Sequence, residues 1–205
     1  MGRFIPRAAF ALACAPLLLL GARGVLGQLG ANPIEAVLNR LGFWALVMLL
    51  ASLACTPLQI LGWKWPLRLR RMLGLFAFFY ACSHLLTYSV VDQGLALGEI
   101  GKDIVKRKFI TIGMATWLLL LPLAVTSTNK WMKRLGFHRW KALHRLVYLA
   151  GIGGVIHFVW RVKKDLTQPL VFGAILAILL AIRAVSALRG AISERRSMAA
   201  PPLVE

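Results

Sequence analysis

Acidic residues are scarce in this chain of 205 residues, which has 7 Asp and Glu against 25 Lys and Arg and a formal net charge of +18. A balance this basic raises the question of nucleic-acid binding. The basic residues fall between apolar runs, however, and no contiguous basic face with interleaved aromatic residues is left. We therefore interpret the charge as topology signals and contacts with anionic lipid head groups, and we expect no nucleic-acid partner.

Cysteine is rarer still. Cys14, Cys55 and Cys82 lie in apolar runs, with no CxxC spacing and no Cys/His cluster. This distribution argues against a disulfide framework and a zinc site, and it is typical of small buried residues. The sequence also lacks a phosphate-binding glycine loop, a dinucleotide fingerprint and a Ser-His-Asp candidate. It therefore has no recognisable module for binding NAD(P)H.

Apolar residues, in contrast, make up 59% of the chain, and only 16% of its residues are charged. A soluble domain cannot bury so much apolar surface, so the composition predicts an all-α, polytopic membrane bundle. At roughly 20 residues per span, six transmembrane helices account for nearly the whole length. We expect one transmembrane domain over residues 1–190 and a polar, disordered cytoplasmic tail over residues 191–205. The predicted spans are residues 8–27, 41–61, 72–91, 109–125, 140–160 and 169–188.

The first apolar run permits two interpretations. It follows Arg3 and Arg7, which also fits a signal peptide. We favour a retained helix, because extending the run past Arg23 reaches membrane length and lets that arginine reach the interface. Lys and Arg are more frequent in the segments that would face the cytoplasm if both termini were inside, so we predict that orientation.

Three histidines lie in the predicted spans, and ionisable residues there indicate function. His84 belongs to the third span, while His144 and His157 lie near opposite ends of the fifth. Both spans run outward in the predicted topology, so His84 and His157 should lie at one depth near the outer face. Two neutral imidazoles facing each other suit the axial positions of a haem iron and favour outer-sphere electron transfer. The alternative is that each histidine is a hydrogen-bonded structural residue.

His144 has no histidine partner at its depth, where the third span offers Arg70 and Arg71, which do not ligate iron. Three possibilities stay open: a haem with an unusual or absent second ligand, a site completed by His138, or no metal. Thirteen residues also leave His144 and His157 about 140° apart around a straight helix, unless GIGG at 151–154 bends it. Arg70, Arg71 and Arg145 are candidate contacts for haem propionates or for lipid phosphates.

Four motifs occur in order along the chain: RLRRMLGLFAF, HLLTYS, AVTSTN and LGFHRWKALHRLVYL. Together they resemble the MsrQ (YedZ) family of haem-binding membrane subunits, and the similarity extends from about residue 41 to residue 183. More distantly, the chain resembles the transmembrane domain of ferric reductases and NADPH oxidases. It departs from the oxidase pattern of two histidines on each of two helices, which puts a second haem in doubt.

The resemblance implies a multi-pass b-type cytochrome of the bacterial inner membrane, with one haem b or two. It implies His84, His144 and His157 as the haem-associated residues, and FMN as a further cofactor. The implied donor is the quinone pool or a cytosolic flavin reductase, and the implied partner is a periplasmic, molybdopterin-containing methionine sulfoxide reductase. The alternatives are a self-sufficient membrane metalloreductase, such as a ferric reductase, and a haem-free transporter or scaffold.

Overall fold

A computed structural model describes residues 4–199, and the regular structure of this part of the chain is helical. In this range the α-helices are α1 (Phe4–Val25), α2 (Pro33–Ile60), α3 (Arg70–Leu86), α4 (Leu97–Lys106), α5 (Lys108–Val125), α6 (Asn129–Leu135), α7 (Phe137–His144), α8 (Leu146–Arg161) and α9 (Thr167–Ala199). A 3₁₀ turn, Trp65–Arg68, precedes α3, and a π-helical turn, Thr87–Asp92, extends it.

Six segments of the described chain are long and apolar enough to cross a membrane, which confirms the predicted all-helical bundle of six spans. They are Ile5–Val25, Pro33–Ile60, Arg70–Asp92, Lys108–Val125, Phe137–Arg161 and Thr167–Ser193. The chain is therefore a multi-pass membrane protein. The cytoplasmic location of the termini stays a prediction.

The second span begins eight residues earlier than predicted, at Pro33 rather than residue 41. Asn32 caps this helix, because its side-chain oxygen accepts a hydrogen bond from the Glu35 amide at 3.2 Å. The Asn32 amide group in turn donates to the Glu35 carboxylate at 3.1 Å. With proline in the first helical position, this reciprocal cap starts a helix where hydropathy alone indicated a loop.

The last helix also exceeds its prediction. We expected the sixth span to end at residue 188 and a disordered tail to follow, whereas α9 continues to Ala199. Polar residues of high helix propensity extend a helix that is already nucleated, since elongation costs far less than initiation. The remainder of the predicted tail, residues 200–205, lies outside the described residues.

The first helix packs into the bundle through α3. The Tyr80 hydroxyl donates a hydrogen bond to the Ala13 carbonyl at 2.7 Å, and both residues are almost completely buried. Phe10 and Phe76 add an edge-to-face aromatic contact with 5.2 Å between ring centroids. A buried hydroxyl needs such a partner, and these contacts attach α1 to α3.

The glycines of GIGG lie where helices touch. A Cβ added at Gly151 would lie 3.2 Å from Leu176, and one at Gly154 would lie 3.2 Å from Leu46. At Gly153 it would collide with Thr116. Small residues at these positions allow α8 to approach α2, α5 and α9 closely.

The fifth span is interrupted at Arg145, not at GIGG. There α7 ends and α8 begins, with the Arg145 amide bonded to the Ala142 carbonyl three residues earlier and the Tyr148 amide bonded to the Arg145 carbonyl. GIGG lies within the continuous helix α8. The irregularity that GIGG could have permitted is therefore absent there, and the helix is interrupted instead at the tighter turn one residue after His144.

An arginine within the sixth span compensates for a proline in the second. Pro57 has no amide hydrogen, so the Leu53 carbonyl four residues earlier loses its helical partner. The Arg183 guanidinium donates to that carbonyl and also to the Tyr148 hydroxyl at 2.9 Å. It lies 5.3 Å from the centre of the Tyr148 ring. This one cation therefore joins α2, α8 and α9.

Replacing Arg183 with leucine should lower the free energy of unfolding by about 1–3 kcal/mol, because it leaves the buried Leu53 carbonyl without a donor. The measurement is thermal unfolding of the purified protein in detergent, followed by circular dichroism. Arg189→Leu is the matched control, since Arg189 is exposed on the same helix. Equal unfolding midpoints for the two variants would contradict this role of Arg183.

Candidate functional site

Two histidines from different spans meet inside the bundle. The rings of His84, near the end of α3, and His157, in α8, lie 6.1 Å apart between centroids with their planes at 85°. The expectation that these two side chains share one depth is confirmed by this contact. Their ability to bind a metal depends in addition on which ring nitrogen of each histidine carries the proton.

Each of the two rings is held by a backbone carbonyl. His84 Nδ1 lies 2.9 Å from the Leu38 oxygen, and His157 Nδ1 lies 2.6 Å from the Phe109 oxygen. A carbonyl oxygen only accepts hydrogen bonds, so both Nδ1 atoms carry the proton. The Nε2 atom of each ring is then unprotonated, which is the form in which a neutral imidazole binds a metal.

A glycine stands beside each of these hydrogen bonds. Gly42 follows Leu38 by four residues in α2, and Gly113 follows Phe109 by four residues in α5, so each glycine shares a helix face with its carbonyl. A Cβ at Gly42 would lie 3.2 Å from His84 Nδ1, and one at Gly113 only 2.7 Å from His157 Nδ1. The missing side chains let the imidazoles reach the backbone. Sequence reasoning did not identify either glycine.

The paired rings border a cavity of about 300 Å³ enclosed by α2, α3, α5 and α8. Its wall is mostly apolar and includes Phe43, Leu46, Met114, Trp117 and Phe158. Polar side chains are found where α2 and α5 begin and α3 and α8 end, and they include Asn39, Asp92, Arg107 and Arg161. The cavity is thus apolar along its length and polar at one mouth.

This donor set fits a haem better than a metal held by protein ligands alone. The described residues contain no group of three or more His, Cys, Asp and Glu that could hold a metal ion. They do contain two adjacent imidazoles with ring centroids 6.1 Å apart, a separation compatible with one shared ion at usual metal–nitrogen distances of about 2.0–2.1 Å. Two axial nitrogens and an apolar wall suit an iron whose other ligands come from a flat porphyrin.

A second cavity, of about 270 Å³, lies toward the opposite end of the bundle, where α3 begins and α5 ends. It brings together three residues that we predicted as cofactor contacts: Arg70, Arg71 and His144. The Arg71 guanidinium donates to the Asn129 side chain at 3.1 Å. The arrangement agrees with the expected match in depth between His144 and the two arginines.

His144 is hydrogen-bonded differently from the paired histidines. Its Nε2 atom lies 3.1 Å from the Thr126 hydroxyl, which donates its own hydrogen to the Pro122 carbonyl at 2.6 Å. The hydroxyl must therefore accept from His144, so Nε2 carries the proton here. Trp140 stacks on the ring, with 4.0 Å between centroids. An iron at Nε2 would have to replace the bond to Thr126.

Two predicted residues are not brought to either cavity. Arg145 is exposed at the junction of α7 and α8, and His138 is exposed on α7, and neither belongs to the lining of the two cavities. Sequence reasoning in turn missed Arg107 and Arg161 at the mouth of the histidine cavity. Arg161 could have been found, because it follows His157 by four residues and so shares its helix face.

Comparison with known proteins identifies the family of the chain. A family model described as "Ferric reductase like transmembrane component" matches residues 41–155. A protein of Rhodospirillum rubrum named "Protein-methionine-sulfoxide reductase heme-binding subunit MsrQ" is 57% identical over 195 residues, which cover 95% of this chain and 92% of that protein. The chain belongs to the MsrQ family. The resemblance found in its motifs is thereby confirmed.

Further MsrQ relatives show the same extent of similarity. A protein of the same name from Caulobacter vibrioides is 48% identical over 171 residues, which cover 82% of this chain and 81% of that protein. One from Ralstonia nicotianae is 45% identical over 192 residues, covering 92% of this chain and 88% of its own. Each match thus spans most of both chains rather than a single motif.

Proposed function

We propose that the chain is the b-type cytochrome subunit of a protein-methionine-sulfoxide reductase system in the bacterial inner membrane. It passes electrons from quinol or a cytosolic flavin reductase to a periplasmic, molybdopterin-containing reductase that repairs oxidised methionine in proteins. It does not itself reduce methionine sulfoxide. The names of the relatives support the binding of haem and the association with a methionine sulfoxide reductase system. The electron donor, the molybdenum partner and the location in the inner membrane follow from the family resemblance.

The observation that carries this proposal is the pairing of His84 with His157 across an apolar intramembrane cavity. A haem bound between them supplies reversible one-electron chemistry. His84 and His157 would both ligate the iron of a haem bound here, and no coordination position would then be open to a substrate. The Leu38 and Phe109 carbonyls fix the tautomer and the orientation of each ring, as hydrogen-bond partners behind metal ligands generally do.

The second cavity is the proposed site of electron entry. His144 is a ligand or a contact of a second haem there, and Arg70 and Arg71 supply positive charge for its carboxylates or for those of an approaching donor. Arg145 contributes positive charge at the adjacent surface. FMN remains an expectation from the family resemblance, and we assign no residues to it.

The proposed direction of transfer depends on the topology. With both termini in the cytoplasm, the end of the bundle that contains Arg70, Arg71 and His144 faces inward and the end near His84 and His157 faces the periplasm. The excess of Lys and Arg in the inward segments supports this orientation. Electrons then enter from the cytoplasmic side or the membrane and leave toward a periplasmic partner.

A self-sufficient metalloreductase is the second candidate function, and the match to a ferric-reductase-like family favours it. Both candidates require haem, and they differ in the final acceptor. In the second, the reduced protein would transfer electrons to ferric chelates without a partner. The paired histidines weigh against substrate binding at the iron, since a haem ligated by both of them would have no open coordination position.

The experiment that tests the proposal begins with a reduced-minus-oxidised visible spectrum and a pyridine haemochrome assay of the purified full chain. We expect a low-spin b-type spectrum, which is reoxidised by the periplasmic reductase together with methionine sulfoxide and not by either alone. Sustained turnover of ferric chelates without that enzyme would favour the metalloreductase instead. A folded, colourless protein from haem-replete cells would contradict both and favour a scaffold or transporter.

A further inference from the structure

Two arginines stand at the polar mouth of the histidine cavity and were not predicted as part of the site. We refer to Arg107 and Arg161 as the mouth arginines. They come from different helix ends, since Arg161 is the last residue of α8 and Arg107 immediately precedes α5. Both line the cavity that His84 and His157 border. Two guanidinium groups therefore stand at the end of the cavity that Asp92 also lines.

Arg161 is positioned by the same helix face as the histidine that it follows. It lies one turn beyond His157, and its side chain is only 28% exposed. Its Nη2 atom lies 3.5 Å from Glu35 Oε1, and the Glu35 side chain is 58% exposed. Glu35 in turn accepts a hydrogen bond from the cap residue Asn32. The guanidinium contacts this carboxylate through one nitrogen, so other N–H groups are left for a second acceptor.

Arg107 is positioned by the short helix α4. Its Nε atom lies 3.2 Å from Asp103 Oδ1, and the Tyr88 hydroxyl donates to the other oxygen of that carboxylate at 3.1 Å. Asp103 is thus held from two sides, and it holds Arg107 near the cavity. Phe109, whose carbonyl accepts from His157, lies only two residues further along the chain. The same short segment of backbone, residues 107–109, therefore carries Arg107 and positions His157.

We propose that Arg107 and Arg161 bind the two propionate carboxylates of the haem held by His84 and His157. Haem b has an apolar ring with two carboxylates on one edge, and this cavity has an apolar wall with two guanidinium groups at one mouth. Carboxylates at a membrane interface need cationic, hydrogen-bonding partners, and arginine matches their planar geometry. The inference rests on the proposed function, because it requires the haem.

The alternative arginines are located less suitably for this haem. Arg70 and Arg71 line the other cavity, and Arg145 lines neither. Asp92 is the acid that lines the mouth, and neither ion pair of the mouth arginines involves it. Their partners Asp103 and Glu35 leave each arginine with a single carboxylate contact rather than a closed bidentate pair. A carboxylate pair from the ligand can therefore be added without breaking these contacts.

The test compares haem with its dimethyl ester, in which both carboxylates are blocked. The full chain is produced in haem-deficient cells and titrated with either compound in detergent, as wild type, Arg107→Gln and Arg161→Gln. Each substitution should weaken haem binding by about tenfold or more, which is the usual scale for a hydrogen bond to a charged group, and leave binding of the ester unchanged. Wild type itself should prefer haem to the ester. Lys163→Gln, at an exposed position after α8, is the control and should behave as wild type.

Reduction potentials provide a second readout. The mouth arginines disfavour the extra positive charge of ferric iron, so each glutamine variant reconstituted with haem should have a lower midpoint potential than wild type. Arg161→Lys, which keeps the charge, should retain most of the wild-type potential. This comparison separates loss of charge from loss of folding.

Three results would overturn the inference. An equal loss of affinity for haem and for the ester would make the arginines structural, and unchanged affinity for both would leave them as contacts for lipid phosphates or a partner. Equal binding of haem and ester by the wild type would exclude a carboxylate site at the mouth without any substitution. Failure of the wild type to bind haem at all would instead refute the proposed function.

Discussion

Alanine at His84 and alanine at His157 should abolish the same low-spin haem spectrum. The two ring centroids lie 6.1 Å apart and both residues line one cavity, so in the proposed site each variant would remove one of two ligands of a single iron. Loss of a hydrogen bond behind a ligand already lowers metal affinity about 10- to 100-fold, and loss of the ligand should cost at least as much. Haem content per protein and the visible spectrum of the purified variants measure the effect.

His144→Ala is the control for this pair. His144 lies in the other cavity and is hydrogen-bonded to Thr126, so its removal should leave the spectrum of the paired-histidine haem largely intact. Any further signal that it abolishes would be assigned to the second cavity. If the His84 and His157 variants lost different haem signals, the two residues would not share one iron. Loss of every signal in the His144 variant would refute the separation of the two sites.

Alanine at Gly113 should also impair haem binding, although glycine has no side chain to contribute. The added Cβ would lie 2.7 Å from Nδ1 and 2.9 Å from Cε1 of His157, closer than non-bonded atoms approach. The ring must move, and its hydrogen bond to the Phe109 carbonyl is then lost or lengthened. We expect haem affinity to fall about 10- to 100-fold, as for other losses of support behind a metal ligand.

The series of glycine variants provides its own controls. Gly42→Ala should have a smaller effect, because its Cβ would lie 3.2 Å from His84 Nδ1 and 3.3 Å from Cε1. Gly21→Ala in α1 meets nothing within 4 Å, and alanine there should slightly stabilise the helix. Haem titration and thermal unfolding of the three variants should therefore give a graded loss that follows the contact distances. Wild-type haem affinity in Gly113→Ala would show that the His157 ring has room to move without consequence.

Much of this architecture was predictable because membrane spans have simple physical requirements. The six spans follow from runs of about 20 apolar residues, and the depth of each histidine follows from its distance from the end of its run. The pairing of His84 with His157 could be inferred from depth and direction alone. The start of α2 at Pro33 was missed because hydropathy is insensitive to the Asn-Pro-x-Glu cap, although that signal is present in the sequence.

The surroundings of the histidines were not predictable in the same way. The direction of a side chain around a helix axis is calculated from regular turns, and each irregular turn adds an error. The helix is interrupted at Arg145, between His144 and His157, so the relative direction of these two side chains could not be calculated from their spacing. Likewise, a glycine in an apolar run has no feature that shows which side chain approaches it. Gly113 could be distinguished from other glycines only once α5 and α8 were packed together.

The sequence by itself therefore determined the class of protein, the number of spans and the candidate haem ligands, because apolar length and intramembrane histidines are local properties of the chain. Only the tertiary structure decided which backbone carbonyls hold the rings, and that Arg107 and Arg161, rather than Arg145, stand at a cavity. Those facts depend on contacts between residues far apart in sequence. Such contacts are set by the mutual rotation and close approach of whole helices, which no single segment encodes.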